Sequence, residues 1–111
     1  YGDGRQERDW TYVDDVVTGT IAAAEGRTGA IYNIGGGTPV RLTDAIALLE
    51  RLLDRRIEVK RRPRARGDAA RTAADGTRAL LELGFRPQVT LLDGLRSQLE
   101  WVVESRESAA A

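Results

Sequence analysis

Along this chain of 111 residues, short apolar runs alternate with segments in which apolar residues recur at helical spacing. This alternation constrains the fold more than any other feature. Residues 8–13 and 30–34 have the pattern of short strands, and residues 57–60 alternate apolar and polar side chains. Elsewhere apolar residues recur every three or four positions, as they do on one face of a helix. Short strands separated by helices predict a small layered α/β domain with about four helices.

Capping and stop residues delimit three of these helices. Asp14 is expected to cap a helix over residues 15–25, and a second helix is expected to start at about Thr43. Asp75 is expected to cap a short third helix, which Gly84 ends because glycine adopts the left-handed conformation at low cost.

The last helix is predicted to start at a capping box and to be followed by a frayed tail. Thr90 precedes Asp93 by three residues, with aspartate where glutamate or glutamine is usual. Small and polar residues end the chain and give a helix little to pack. We therefore expect one ordered domain over residues 1–106 and a disordered tail over residues 107–111.

Composition excludes several kinds of site. The chain has no cysteine and no histidine, which excludes disulfides, thiolate nucleophiles, imidazole acid-base chemistry and the usual zinc sites. No metal site is therefore expected. No apolar run approaches the length of a membrane span, and no signal segment is present, which favours a soluble, cytoplasmic protein. The first residue is Tyr1 and not methionine, which is typical of a fragment or a trimmed chain.

Two glycine-rich stretches invite comparison with phosphate-binding loops. Gly2 and Gly4 start like a dinucleotide fingerprint, but the third glycine is absent and a strand follows, so we interpret them as a structural turn. Residues 35–37 are three glycines without the Lys-Ser or Lys-Thr pair of a Walker loop. We interpret this run as a loop that passes close to another backbone or to a ligand.

Positive charge is concentrated in one segment although the chain's 17 basic and 17 acidic residues cancel. From Arg55 to Arg71 the sequence has eight basic residues against two acidic ones. Arg8 and either Arg64 or Arg66 can clamp a small phosphorylated ligand with forked hydrogen bonds. The alternative is that these arginines are only partners in surface ion pairs. Nucleic-acid binding is not expected, since few aromatic residues interleave with the arginines.

Four blocks of sequence resemble a known family in order and spacing. They are GDGRQERDWTYVDDVV, GAIYNIGGGTPVRLTD, RGDAARTAAD and LGFRPQVTLLDGLRSQLEW. Together they resemble the carboxyl-terminal part of the extended short-chain dehydrogenase/reductase family, specifically the NAD-dependent nucleotide-sugar epimerases and dehydratases. The best match is to the UDP-glucose 4-epimerase group, and the resemblance covers nearly the whole chain.

The resemblance implies roles for two residues of this chain. It implies that Arg8, in the Arg-Asp-aromatic motif, binds the diphosphate of a nucleotide sugar, and that Asp68 reaches the nucleotide ribose. The family has another phosphate-binding arginine three residues before that aspartate, but Ala65 stands there in this chain. Only the flanking Arg64 or Arg66 can replace it, so the candidate substrate-binding residues are Arg8, Arg64, Arg66 and Asp68.

The resemblance also implies what lies outside this chain. The family's glycine fingerprint for NAD and its Tyr-x-x-x-Lys set belong to an amino-terminal Rossmann lobe, and Lys60, the single lysine, does not follow any tyrosine at that spacing. We therefore expect no catalytic or cofactor-binding residue in this chain, and NAD only in the complete enzyme. The chain is expected to be the nucleotide-sugar-binding part, partnered by that lobe; the alternative is a free-standing, non-catalytic module that self-associates.

Overall fold

Four helices and two short strands make up the part of the chain that the computed structural model describes, residues 1–110. This arrangement confirms the predicted small α/β fold with short strands and four helices. In chain order the elements are β1 (Glu7–Asp9), α1 (Val13–Ala24), β2 (Pro39–Arg41), α2 (Leu42–Leu53), α3 (Thr77–Leu83) and α4 (Leu91–Ala110).

Strand β1 lies between two extended segments. It pairs antiparallel with β2, with Arg8 opposite Val40. On its other side Glu7 forms a parallel bridge with Arg71, where the Glu7 amide donates to the Ala70 carbonyl over 2.9 Å. This bridge places Asp68 next to Arg8 in the middle of β1, although the two residues are 60 positions apart in the sequence.

The strand predictions were only partly right. The predicted strand 8–13 is shortened to β1, because the chain leaves the sheet after Asp9 and starts α1 at Val13. Residues 30–34 alternate between inward and exposed side chains, as a strand does, but find no ladder partner among residues 1–110. The prediction of a strand at 57–60 was wrong for the same reason, and β2 was missed.

Helix α1 was predicted two residues too late. It starts after Tyr12 without a side-chain cap, so the expected cap at Asp14 was wrong: Asp14 lies exposed in the first turn. Its neighbour Asp15 is buried and accepts two backbone N–H groups from the loop before α4. On the same face Gly19 lies against Ile34 and Phe85, because a Cβ at this position would come within 3.1 Å of either side chain.

Helix α2 begins one residue before the predicted Thr43, and α3 lies between Asp75 and Gly84, as predicted. The Asp75 carboxylate accepts a hydrogen bond from the Thr77 amide over 3.0 Å, but the N-cap of α3 is Gly76 and no side chain caps the helix, so the expected cap at Asp75 was one residue too early. Gly84 ends the helix with a φ of +66°, and the Phe85 amide donates back to the Ala79 carbonyl. This geometry explains why Phe85 and Ala79 are two of the few buried apolar residues.

Helix α4 starts with half of the predicted capping box. The Thr90 hydroxyl oxygen accepts the Asp93 amide over 3.2 Å, as expected. The Asp93 carboxylate, however, accepts the Thr90 hydroxyl at 2.6 Å and not the Thr90 amide, since aspartate is one methylene shorter than glutamate. The tail expected to be disordered spans residues 107–111; residues 107–110 continue the helix, and residue 111 lies outside the described residues. None of these helices, within residues 1–110, is both long and apolar enough to cross a bilayer.

Candidate functional site

An ion pair between Arg8 and Asp68 is the centre of the candidate site. Arg8 Nη2 lies 2.5 Å from Asp68 Oδ1, and the two side chains are 30% and 27% exposed. Arg8 Nη1 also donates to the carbonyl of Glu7 over 2.8 Å. The bridge between β1 and residues 70–72 places the two residues together, so the pairing of distant strands positions both charged groups.

A solvent-open cleft of about 600 Å³ lies over this ion pair. Three of the four candidate residues, Arg8, Arg66 and Asp68, line it. Arg66 lies on the same turn as Asp68 and so reaches the same cleft. The cleft therefore combines two guanidinium groups, one carboxylate and an aromatic wall. Its lining residues are Tyr1, Gln6, Arg8, Trp10, Leu42, Ala65, Arg66, Gly67 and Asp68.

Arg64 has a different position from the other candidates. Its Nη2 donates to the backbone carbonyl of Asp68 over 2.7 Å, and it lines a neighbouring cleft of about 420 Å³. Arg66 is exposed and finds no hydrogen-bond acceptor or carboxylate among the residues that the structure describes. Arg64 therefore braces the turn, whereas Arg66 lines the cleft and has no hydrogen-bond or ion-pair partner among the described residues.

The glycine run after residue 34 fixes the end of β1. A Cβ at Gly36 would collide with the carbonyl oxygen of Trp10, and a Cβ at Gly35 would lie 2.9 Å from Asp9 Oδ2. That oxygen also accepts the Ala74 amide over 3.0 Å. The interpretation of this run as a close approach between backbones is therefore confirmed, and the approach holds the residues that follow Arg8.

The carboxyl groups with lowered pKa values lie outside the cleft of Arg8 and Asp68. The pKa of Glu82 is lowered chiefly because the Tyr32 hydroxyl donates to it, over 2.8 Å. The pKa of Asp93 is lowered chiefly by the Thr90 hydroxyl, and that of Asp75 by its hydrogen bonds from Thr77. These groups cap and brace helices, so their shifts are structural.

Trp10 is a cleft residue that the sequence analysis did not assign to the site. It lies two positions after Arg8, and side chains two apart in an extended segment lie on the same side. The spacing of two residues from Arg8 is therefore the sequence feature that could have identified Trp10 as a cleft residue. Tyr1 also lines the cleft, with the Arg62 guanidinium 6.0 Å from the centre of its ring. No group of three potential metal ligands occurs within residues 1–110.

Comparisons with known proteins agree on one family. The model of the GDP-mannose 4,6 dehydratase family matches residues 1–98. The chain is 39% identical over 118 residues to a dTDP-glucose 4,6-dehydratase of Streptomyces griseus, covering 96% of this chain and 33% of that protein.

Solved structures also align with this chain. One is a UDP-glucose 4-epimerase of Thermotoga maritima with UDP-glucose, at 32% identity and a TM-score of 0.88, covering 95% of this chain and 34% of that one. Another is a UDP-glucuronic acid 4-epimerase of Bacillus cereus with UDP-glucuronic acid and NAD, at 34% identity and a TM-score of 0.79, covering 94% and 34%. The chain thus spans about a third of the length of the relatives it matches.

Proposed function

Because the chain belongs to the nucleotide-sugar epimerase and dehydratase family of extended short-chain dehydrogenases/reductases, we propose that it is the substrate-binding part of an NAD-dependent nucleotide-sugar epimerase such as a UDP-glucose 4-epimerase. The observation that carries the proposal is the cleft in which Arg8, Arg66 and Asp68 meet. Two guanidinium groups suit a diphosphate, since each presents parallel N–H donors to phosphate oxygens.

In this proposal the chain supplies binding energy and not bond-making chemistry. Arg8 and Arg66 bind the diphosphate, and the carboxylate of Asp68 accepts hydrogen bonds from the hydroxyl groups of the ribose; all three residues line the cleft. Interactions with these non-reacting groups hold the sugar in a fixed orientation at the distant reacting carbon. Loss of such contacts therefore lowers the rate of the reaction as well as the affinity.

Gly4, Gly35 and Gly36 do not form an open phosphate cradle for the NAD that the family implies. At Gly35 and Gly36 the space over the backbone is filled by Asp9 and by the Trp10 carbonyl, so no phosphate group can approach there. At Gly4 the space is filled by Thr43. We therefore derive no step through NAD from these residues, and assign its binding, together with the catalytic tyrosine and lysine, to a separate lobe.

The face that this lobe would cover is an apolar surface on α1. The helix buries Asp15 and Gly19 on its inner side, yet its outer side carries Val13, Val17 and Ile21, which are 61%, 50% and 62% exposed. A cluster of exposed apolar side chains on one side of a helix is typical of a surface that another part of a protein covers. Beside it, the backbone N–H groups of residues 31–34 find no acceptor within the described part of the chain. The edge strand of an added β-sheet could accept hydrogen bonds from these N–H groups, and the face of that sheet could cover the apolar side chains of α1.

The same surface supports the alternative function, a free-standing binding module that covers this face by self-association. The two are distinguished by light scattering on the 111-residue chain. A concentration-dependent dimer that dissociates on Val17→Asp supports the module. A monomer that binds an added amino-terminal lobe supports the enzyme part, and the cytoplasmic location proposed with it is checked by cell fractionation.

The experiment that tests the function is a titration with UDP-glucose of the chain joined to its amino-terminal lobe. We expect Arg8→Ala to weaken binding roughly 10- to 100-fold, the usual loss for a charge-assisted hydrogen-bond donor. Arg5→Ala is the matched control, because Arg5 lies on the same segment, is 81% exposed and, among residues 1–110, forms an ion pair with Asp3 alone. Unchanged affinity in Arg8→Ala would remove Arg8 from the site and the main support for the function.

A further inference from the structure

Arg8 and Asp68, which serve different parts of the nucleotide in the proposed function, are bonded to each other in the structure. We propose that Asp68 is an exchangeable counter-ion. A ligand diphosphate displaces the Asp68 carboxylate from Arg8, and the released carboxylate turns to the hydroxyl groups of the nucleoside. This inference rests on the proposed function and makes Asp68 the residue that favours nucleoside diphosphates over bare pyrophosphate.

The carboxylate and the diphosphate compete for the same donors. Arg8 Nη1 donates to the Glu7 carbonyl and Nη2 donates to Asp68 Oδ1, so two of the five N–H donors of the guanidinium already have an acceptor, and a diphosphate competes with Asp68 at Nη2. A phosphate needs two adjacent donors of the guanidinium for bidentate binding. In addition, a carboxylate beside a polyanion is repelled. Both effects favour removal of Asp68 from Arg8 when a diphosphate binds.

The backbone around Asp68 is built so that the side chain can move alone. The Asp68 amide donates to the Ala65 carbonyl over 3.3 Å, and the Asp68 carbonyl accepts from Arg64 Nη2 over 2.7 Å. Gly67, with a φ of +81°, closes this turn. Because the main chain is held on both sides of the residue, exchange requires only rotation of the carboxylate, which is about a quarter exposed.

The exchange has a consequence for specificity. An ionised carboxylate only accepts hydrogen bonds, so on leaving Arg8 it needs new donors. Pyrophosphate has no ribose hydroxyl groups, and its binding leaves the carboxylate facing solvent beside the anion. A nucleoside diphosphate supplies ribose hydroxyls, which replace the lost ion pair. The same residue therefore opposes binding of the bare anion and supports binding of the nucleotide.

The test compares pyrophosphate and UDP by calorimetry, at one fixed salt concentration, on the chain joined to its amino-terminal lobe. We expect Asp68→Ala to bind pyrophosphate several-fold more tightly than the unchanged protein. We expect the advantage of UDP over pyrophosphate to shrink at least roughly tenfold, since both the repulsion and the ribose contact are lost. Asp68→Asn, which keeps the shape of the side chain, should also bind pyrophosphate more tightly and covers the case in which the alanine variant folds poorly.

Glu58→Ala is the matched control, since it removes one negative charge from the same arginine-rich segment at an exposed residue whose one ion pair within the described chain is with Lys60. An equal gain in pyrophosphate affinity in this control would reduce the effect to overall charge and overturn the inference. Weaker pyrophosphate binding in both Asp68 variants would also overturn it, since Asp68 would then position Arg8, while the proposed function would stand. An unchanged protein that binds neither UDP nor pyrophosphate would overturn the proposed function, and the inference with it.

Discussion

The carboxylate of Asp15 holds the backbone of Gln88, 73 residues further along the chain: Oδ1 accepts the Gln88 amide over 2.9 Å, and Oδ2 accepts the next amide over 3.0 Å. The residue is only 5% exposed. One buried side chain on α1 therefore anchors the loop that leads into α4, and it does so with two charge-assisted hydrogen bonds.

Removal of this anchor should be costly. We expect Asp15→Ala to lower the free energy of unfolding by about 3 kcal/mol, because two part-buried backbone amides lose a carboxylate acceptor. The measurement is urea denaturation followed by circular dichroism. The matched control is Asp14→Ala at the exposed neighbouring position, which should change stability by less than about 0.5 kcal/mol. Equal effects at the two positions would contradict the anchoring role.

A side chain at Gly36 should also destabilise the fold. Its Cβ would collide with the Trp10 carbonyl oxygen, which belongs to the backbone and cannot turn aside. We expect Gly36→Ala to lower the free energy of unfolding by roughly 2 kcal/mol, as overpacking does. Gly76→Ala is the control: φ at Gly76 is −86°, and the nearest atom to an added Cβ lies 4.0 Å away. Similar losses in both variants would show that the close approach at Gly36 relaxes.

The helices could be predicted from the sequence because their signals are local. The stripes of α2 and α4, and the stop at Gly84, depend on residues within a few positions of one another. The strands depend on partners, and these are not local. Residues 30–34 have the alternation of a strand but lack a partner in the described residues, whereas β2 is too short to show any period.

Stability should fall in acid partly through Glu82. Its pKa is lowered from the ordinary value of 4.5, mainly by the Tyr32 hydroxyl, so its contribution is full above that value and is lost as the pH falls through the lower folded-state pKa. We expect Tm to fall less steeply from about pH 5 to about pH 3 in Glu82→Gln than in the unchanged chain. Glu104→Gln, at an exposed position on α4, is the control and should keep the original slope.

Disorder of the tail at residues 107–111 remains a prediction, and it can be tested on residues 107–110. These residues continue α4 as its exposed last turn, and the terminal carbonyl groups of a helix lack intrahelical partners. We expect their amides to exchange with solvent far faster than those of residues 91–100, as measured by hydrogen–deuterium exchange. Protection equal to that of the first part of the helix would mean that the ordered domain extends beyond residue 106.

The candidate site could be assembled from the sequence only with the help of family resemblance. Charge and spacing left Arg8 open between ligand binding and a surface ion pair, and the structure shows the ion pair with Asp68. No local pattern could bring those residues together, since a bridge between distant segments does so. The choice between Arg64 and Arg66 likewise depends on the fold of one turn, because both arginines flank Ala65 equally in the sequence.

Arg66 should be the second phosphate ligand, and Arg64 should act only through the turn. Arg66 lines the cleft of Arg8 and has no partner in the described chain, whereas Arg64 donates a hydrogen bond to the Asp68 carbonyl. We expect Arg66→Ala to weaken UDP binding roughly tenfold and to reduce its salt dependence, since one guanidinium contact is lost. Arg61→Ala removes a charge from the same segment without touching the cleft and should leave affinity within about twofold. A larger loss in Arg64→Ala than in Arg66→Ala, measured by calorimetry, would reverse the assignment.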